Sequence, residues 1–338
     1  MTKLEELLKQ QTELTAAIAL EVKKSEEAAI KGDSEAQFAV AVIHYKGQGV
    51  KQNFAEAFKF FKLAAEKGHT DAEFFLGDMC LKAQGTAQND KEALRYFQAA
   101  AAKEHSRAQY MLGVMFDAGK GVKQDFKEAM RWYQLAVKKD NADAMFGLGG
   151  MYENHHGVEQ DDVEAVRWYK LAAQHQHTES YYRLGVIYSE GKSIKKDLSE
   201  ALHWYGLASE KGHSAAQIKI GLMYQSGTGV EQSHDQAMQY YKMAASHGYA
   251  EGQYKVGFML QNGLGRDRDY AQALHWFTLA AEQENAHAQS ALGFMFEHGQ
   301  GVNEDESKAL MYFRKAIKNG DETALKNRDM LEAKLDKK

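Results

Sequence analysis

Apolar and polar positions along this chain repeat with a period of 36 residues. Each period holds two apolar runs with helical spacing, and a glycine-containing turn separates them. Gly113 returns one or more periods away as Gly77, Gly149, Gly185, Gly221, Gly257 and Gly293, and Ala41 takes its place in the first copy. Ala129 has an alanine counterpart in every copy. Eight copies without insertion or deletion predict a stacked solenoid of helix pairs.

The boundaries of the two helices, called A and B in each copy, follow from capping residues. In the first copy, helix A covers roughly residues 33–46, and helix B follows Asn53. Glu56 stands three residues after that cap, and seven of the eight copies keep this reciprocal capping box. The position before helix A holds His69, His105, His177 and His213, alternating with Asp33, Asn141 and Asn285. Because histidine here interchanges with good helix caps, we expect a hydrogen bond to the helix start.

The eight copies occupy residues 33–320 and leave two shorter flanks. Residues 1–32 keep helical spacing and are predicted to form an N-terminal capping helix. Residues 321–338 are polar and are predicted to form a C-terminal capping helix. The first dozen residues could instead pair with another chain, and the sequence leaves that open.

Composition narrows the class of protein further. Proline is absent, as expected of an all-helical chain, and the net charge of −5 shows no basic footprint for nucleic acid. The single cysteine, Cys80, excludes an intrachain disulfide framework and occupies an otherwise aromatic core column, so we expect it to be buried. No apolar run is long enough to span a membrane, and no signal peptide is recognisable. The expected location is the cytoplasm.

The consensus AxYxLGxxYxxGxGVxxDxxEAxxWYxxAAxxGH resembles the Sel-one-like repeat (SLR), a relative of the tetratricopeptide repeat, over residues 33–320. The resemblance implies an all-α, right-handed α/α superhelical solenoid whose A helices line a concave side. It also implies a bacterial protein-interaction scaffold or adaptor. Some family members neutralise secreted toxins, which makes an immunity protein the alternative function.

Subtracting the core positions leaves one stripe on the A helices, which is predicted to line the groove. Its candidate partner-binding residues are Phe75, Met111, Val114, Arg183, Val186, Lys219, Leu222, Lys255, Phe258 and Phe294. Apolar side chains beside cations favour a docked protein or peptide of acidic or amphipathic character. The alternative is that the apolar residues pack between adjacent A helices and that the cations are solvated.

Catalytic and metal-binding chemistry finds little support in the sequence. No paired acid and base or nucleophile stands at usable spacing, so a weak hydrolase is the remote alternative and no cofactor is expected. Ser193 and Lys196 have S-x-x-K spacing, but the other boxes of penicillin-recognising enzymes are missing. No metal site is assigned, although the sequence leaves open whether a local histidine cluster binds one: His155, His156, His175 and His177. Oligomeric state also stays open.

Overall fold

The computed structural model describes residues 22–192 and 194–336, and every regular element in these ranges is a helix. Residues 22–30 are helical and are called α1. The A helices are α2 (Ser34–Lys46), α4 (Thr70–Lys82), α6 (Ser106–Ala118), α8 (Ala142–Glu153), α10 (Thr178–Glu190), α12 (Ser214–Ser226), α14 (Ala250–Asn262) and α16 (Ala286–Glu297). The B helices are α3 (Phe54–Glu66), α5 (Asp90–Ala102), α7 (Phe126–Val137), α9 (Asp162–Gln174), α11 (Leu198–Glu210), α13 (His234–Ser246), α15 (Tyr270–Glu282) and α17 (Glu306–Lys318), and α18 (Thr323–Leu335) follows.

Within each of two compact units, consecutive helices from α2 onward pack on each other, and the predicted all-α solenoid of eight two-helix repeats is confirmed. The chain divides into two compact units, the first ending at His175 and the second beginning at Gln176. Each unit has its own buried clusters of alanine, leucine, methionine and aromatic side chains. Cys80 is 1% exposed in one of these clusters, as predicted, and burial raises the pKa of its thiol.

The recurring glycine of the A helices is explained by an aromatic ring on the B helix of the same repeat. A Cβ atom added to Gly185 would lie 2.4 Å from Cδ1 of Tyr205, and one added to Gly113 would lie 2.4 Å from Cδ1 of Tyr133. Both distances are far below van der Waals contact, so the missing side chain lets the ring sit directly on the A-helix backbone. The predicted close approach of the two helices is therefore confirmed.

Each capping box was predicted to contain two hydrogen bonds, and in the described ranges only the one accepted by the cap side chain is formed. Asn53 accepts a hydrogen bond from the Glu56 amide at 3.1 Å, as predicted. The reciprocal bond was predicted wrongly, because the Asn53 amide donates instead to the carbonyl of His44 on helix α2, at 2.9 Å. The turn between the helices brings that carbonyl within reach, so Glu56 is released and pairs with Lys59 at 3.5 Å.

The histidines before the A helices act as caps and also connect consecutive repeats. His105 Nδ1 accepts a hydrogen bond from the Ala108 amide at 3.1 Å, which confirms the predicted cap. Its Nε2 lies 3.0 Å from Asp71, at the start of the preceding A helix. His213 repeats the arrangement, with Glu179 at 3.1 Å. Each imidazole thus accepts a hydrogen bond from a first-turn amide of its own helix and contacts an acidic side chain of the preceding repeat.

The flanking segments are described in part. Helix α18 packs on α17 and buries Ala324 and Leu331, while Val22 and Ala29 are the buried residues of α1. The capping role of residues 1–32 and 321–338 stays a prediction. The first dozen residues, for which pairing with another chain was considered, lie outside the described residues.

Candidate functional site

In the first unit, the predicted stripe is largely occupied by packing within the solenoid. The ring of Phe75 stacks on Phe61, with centroids 4.9 Å apart and planes 2° from parallel. It also meets the edge of Tyr45 on the preceding A helix, at 5.5 Å. Met111 and Val114 are partly buried against the adjoining clusters. These three residues therefore lie as the alternative interpretation expects, between neighbouring helices.

In the second unit, the stripe borders three hollows. The first, of about 210 Å³, is lined by Lys219 and Leu222 together with Lys196, Leu198 and Met223. The second, of about 430 Å³, is lined by Leu222, Lys255 and Phe258 together with Tyr254 and Gln225. The third, of about 470 Å³, is lined by Phe258 and Phe294 together with Tyr254, Arg268, His287 and Asp321. Because Leu222 lines the first two hollows and Phe258 the last two, the hollows form one series.

Two apolar residues of this series are more exposed to solvent than the residues of the core. Leu222 is 37% exposed and Phe294 is 39% exposed, whereas Val186 and Phe258 are partly buried. Single exposed apolar side chains are common on protein surfaces. Here they recur at one helix position in neighbouring repeats and line hollows, which is the arrangement of a binding surface.

The cations of the stripe have different surroundings. Lys255 lies 3.4 Å from Glu251 of its own helix, and its ammonium stands 5.3 Å from the centroid of the Tyr254 ring. Lys219 is exposed, and no carboxylate of the described residues forms an ion pair with it. Arg183 is partly buried and acts on Glu179, whose carboxyl pKa is lowered mainly by the hydrogen bond from His213 and further by Arg183.

The third hollow contains a buried carboxylate, Asp321, that is hydrogen-bonded to a neighbouring residue. Asp321 is 3% exposed and accepts hydrogen bonds from the Thr323 amide at 3.0 Å and the Thr323 hydroxyl at 2.5 Å. Its other oxygen lies 3.6 Å from His287 Nδ1. Burial acts to raise the pKa of this carboxyl, but the bonds from Thr323 and the nearby His287 hold it below its usual value. The Asp321 carboxylate is therefore hydrogen-bonded within the protein.

The histidine cluster considered for metal binding is spread over separate contacts. His155 Nε2 lies 2.7 Å from Gln160, His156 Nδ1 lies 2.8 Å from Asp117, and His177 caps helix α10. Within residues 22–192 and 194–336, no three histidine, cysteine or acidic side chains are grouped as a metal site needs. Ser193 of the S-x-x-K spacing lies outside the described residues. No helix of the described part is long and apolar enough to cross a membrane.

Of two cations that line the hollows, Arg268 was missed by the sequence interpretation, and Lys196 was considered only for its S-x-x-K spacing. Both stand immediately before the cap of a B helix, where most copies have glutamine. That departure from the repeat was a usable signal. It was overlooked because the search for partner-binding residues was confined to the A helices.

Comparison with known proteins agrees with this architecture. A sequence model of the family described as Sel1 repeat matches residues 34–69, 70–105, 106–141, 142–177, 178–213, 214–249, 250–285 and 286–321. No curated protein matches the chain.

Solved structures of SLR proteins are similar over most of the chain. A protective antigen of uropathogenic Escherichia coli with an SLR fold shares 29% identity and a TM-score of 0.72, covering 93% of this chain and 68% of its own. A Sel1 repeat protein from Oxalobacter formigenes shares 27% identity and a TM-score of 0.70, covering 91% and 90%. An immunity protein from Pseudomonas aeruginosa shares 19% identity and a TM-score of 0.40, covering 63% and 81%, which is too remote for a functional argument. With eight matched repeats over most of its length, this chain belongs to the Sel1 repeat family.

Proposed function

We propose that this chain is a non-enzymatic scaffold or adaptor of the cytoplasm that binds a protein or peptide along its A helices. Sel1 repeat proteins are generally protein-interaction scaffolds. The proposed contact residues are the members of the predicted stripe that lie in the second unit: Arg183, Val186, Lys219, Leu222, Lys255, Phe258 and Phe294. The observation that carries the proposal is the series of hollows in the second unit, bordered by the exposed side chains of Leu222 and Phe294.

Physical reasoning supports a polypeptide as the occupant. The hollows are shallow and successive, and a chain with side chains at regular intervals can place one in each. Covering an apolar side chain such as Phe294 with a partner removes it from water and contributes about 25 cal/mol for each Å² of apolar surface buried. The same surface exposes cations that a polypeptide's carboxylates can meet.

Photo-crosslinking in the cells that make the protein tests this proposal. A benzophenone amino acid is placed at Phe294 in one variant and at Met243 on B helix α13 in a matched control. The two native side chains are 39% and 41% exposed, so their accessibility is nearly the same. We expect Phe294 to crosslink to one protein that Met243 does not reach.

Crosslinks that arise only from Met243, or equally from both positions, contradict binding along the A helices. The identity of a protein captured from Phe294 also separates the two functional classes. A secreted toxin identifies an immunity protein, whereas a cellular protein without toxic activity identifies an adaptor.

A further inference from the structure

Cations enter two repeat positions specifically in the second unit. The first position holds Arg183, Lys219 and Lys255 in three consecutive repeats, and its counterparts elsewhere are Ala39, Phe75, Met111, Gly147 and Ala291. The second position, just before the cap of each B helix, holds Lys196 and Arg268, and its counterparts are Gln52, Gln88, Gln124, Gln160, Gln232 and Glu304. Four of these five cations line the three hollows.

Several glutamines at the second position donate a side-chain hydrogen bond to a backbone carbonyl of the preceding A helix, and within the part of the chain that the structure describes the cations that replace them do not make this bond. Gln52 donates its side-chain amide to the carbonyl of Tyr45 at 2.9 Å, and Gln232 donates to the carbonyl of Gln225 at 2.8 Å. Gln124 makes the same bond to Asp117 at 2.7 Å. Lys196 is exposed at the first hollow instead, and Arg268 donates to the hydroxyl of Tyr270 at 3.1 Å. A bond that holds the turn in other repeats is thus replaced by positive charge beside a hollow.

The positive charge at these hollows is compensated only in part: Lys255 pairs with Glu251 at 3.4 Å, but the other three cations have no such partner among the described residues. In the described part of the chain, neither Lys196 nor Lys219 has an ion pair, and the partner of Arg268 is neutral. Asp321, the carboxylate in the third hollow, is engaged by Thr323 and His287. The cations on the B helices of the first unit differ, because Lys59, Arg95, Arg131 and Arg167 each pair with the glutamate three residues earlier.

We propose that the second unit alone recognises the partner, and that the partner presents an acidic, amphipathic segment. Its apolar side chains enter the hollows over Leu222, Phe258 and Phe294, while its carboxylates meet Lys219, Lys255 and the two cations of the turns. Charge complementarity selects this occupant, since a basic or purely apolar segment would leave Lys196 and Lys219 without an ion pair. This inference rests on the proposed function and makes it specific.

Selection of random-sequence peptides on the full chain tests the inference, with each selected peptide then measured by fluorescence anisotropy. We expect the selected peptides to be enriched in aspartate and glutamate interleaved with leucine, methionine or phenylalanine. A Lys219→Glu/Lys255→Glu variant should bind them at least about tenfold more weakly, which is the size expected for reversing charges that contact the ligand. Leu222→Ser should weaken binding as well.

The matched control is Lys211→Glu/Lys242→Glu, which changes the net charge equally at exposed lysines of the same unit. It should leave binding within about twofold, and thermal melts of all variants establish that they are folded. Peptides that lack acidic enrichment, or that bind both charge variants equally, overturn the inference and leave the scaffold proposal standing. A selection that yields no binding peptide at all overturns the scaffold proposal itself.

Discussion

Replacing Gly185 by alanine should leave the protein less stable than the same replacement at Gly206, because the two glycines have different surroundings. Gly185 lies within helix α10, and its added methyl group would stand 2.4 Å from a ring carbon of Tyr205. Gly206, the next residue on α11, supplies a matched control because nothing lies within 4 Å of the Cβ atom added there. The same substitution therefore probes a crowded and an open position in one helix pair.

The expected magnitudes follow from two opposing contributions. Alanine is favoured over glycine inside a helix by about 1 kcal/mol, and Gly206→Ala should gain most of that. Gly185→Ala gains the same propensity but must displace the Tyr205 ring by about 1 Å or more, and overpacking of this kind costs roughly 1–3 kcal/mol. The free energy of unfolding should therefore differ between the variants by roughly 1–3 kcal/mol, with Gly185→Ala the less stable.

Scanning calorimetry and urea unfolding of the full chain measure this difference. For a unit of this size, it corresponds to roughly 2–12 °C in Tm. A double-mutant cycle with Tyr205→Leu adds a second test, because a smaller side chain should remove most of the penalty at Gly185. The reasoning is refuted if both glycine variants are stabilised equally, or if the cycle shows no coupling between Gly185 and Tyr205.

Three further measurements test other features. Tyr249 caps helix α14 without a side-chain hydrogen bond, so Tyr249→Asn should raise the free energy of unfolding by about 1 kcal/mol, whereas His105→Ala should lower it by a similar amount; equal urea midpoints for both variants would contradict the capping geometry. Burial raises the pKa of Tyr205 from 10.0 to about 12, so the contribution of the neutral phenol to stability is present below pH 10.0 and is lost as pH rises toward about 12. The free energy of unfolding, measured against pH over this range, should therefore decline less steeply in Tyr205→Phe than in the parent. The Cys80 thiol is buried and its pKa is raised, so a thiol reagent should modify it only upon unfolding, and prompt labelling of the native protein would contradict its placement.

The sequence predicted the fold well because the repeat multiplies each weak signal. One glycine in a helix says little, but its return at a fixed interval indicated a close approach, and the structure places an aromatic ring against it. The capping histidines were likewise recognised through their exchange with asparagine and aspartate. The reciprocal half of the capping box failed because the competing acceptor, such as the carbonyl of His44, comes from another helix.

The candidate site was less accessible to the sequence. Phe75 and Leu222 lie on the same predicted stripe, yet one is stacked between neighbouring rings and the other is exposed beside two hollows. Helical periodicity fixes the face on which a residue lies. Whether that face is filled depends on side chains from adjacent repeats, such as Phe61 and Tyr45 around Phe75, and a single-helix pattern contains no information about them.

Several A-helix caps also contact the preceding repeat, and these contacts make the order of some repeats chemically specific. His105 pairs with Asp71 and His213 with Glu179, whereas Asn285 donates to Glu251 at 3.3 Å. In the final pair the residue types are exchanged: Asp321, at the position equivalent to the A-helix caps, lies 3.6 Å from His287 of the preceding A helix. An engineered array that placed the module containing His287 before a module capped by histidine would set imidazole against imidazole at that junction. Successful grafting therefore requires transferring the complementary pair as one cassette that straddles the boundary between two modules.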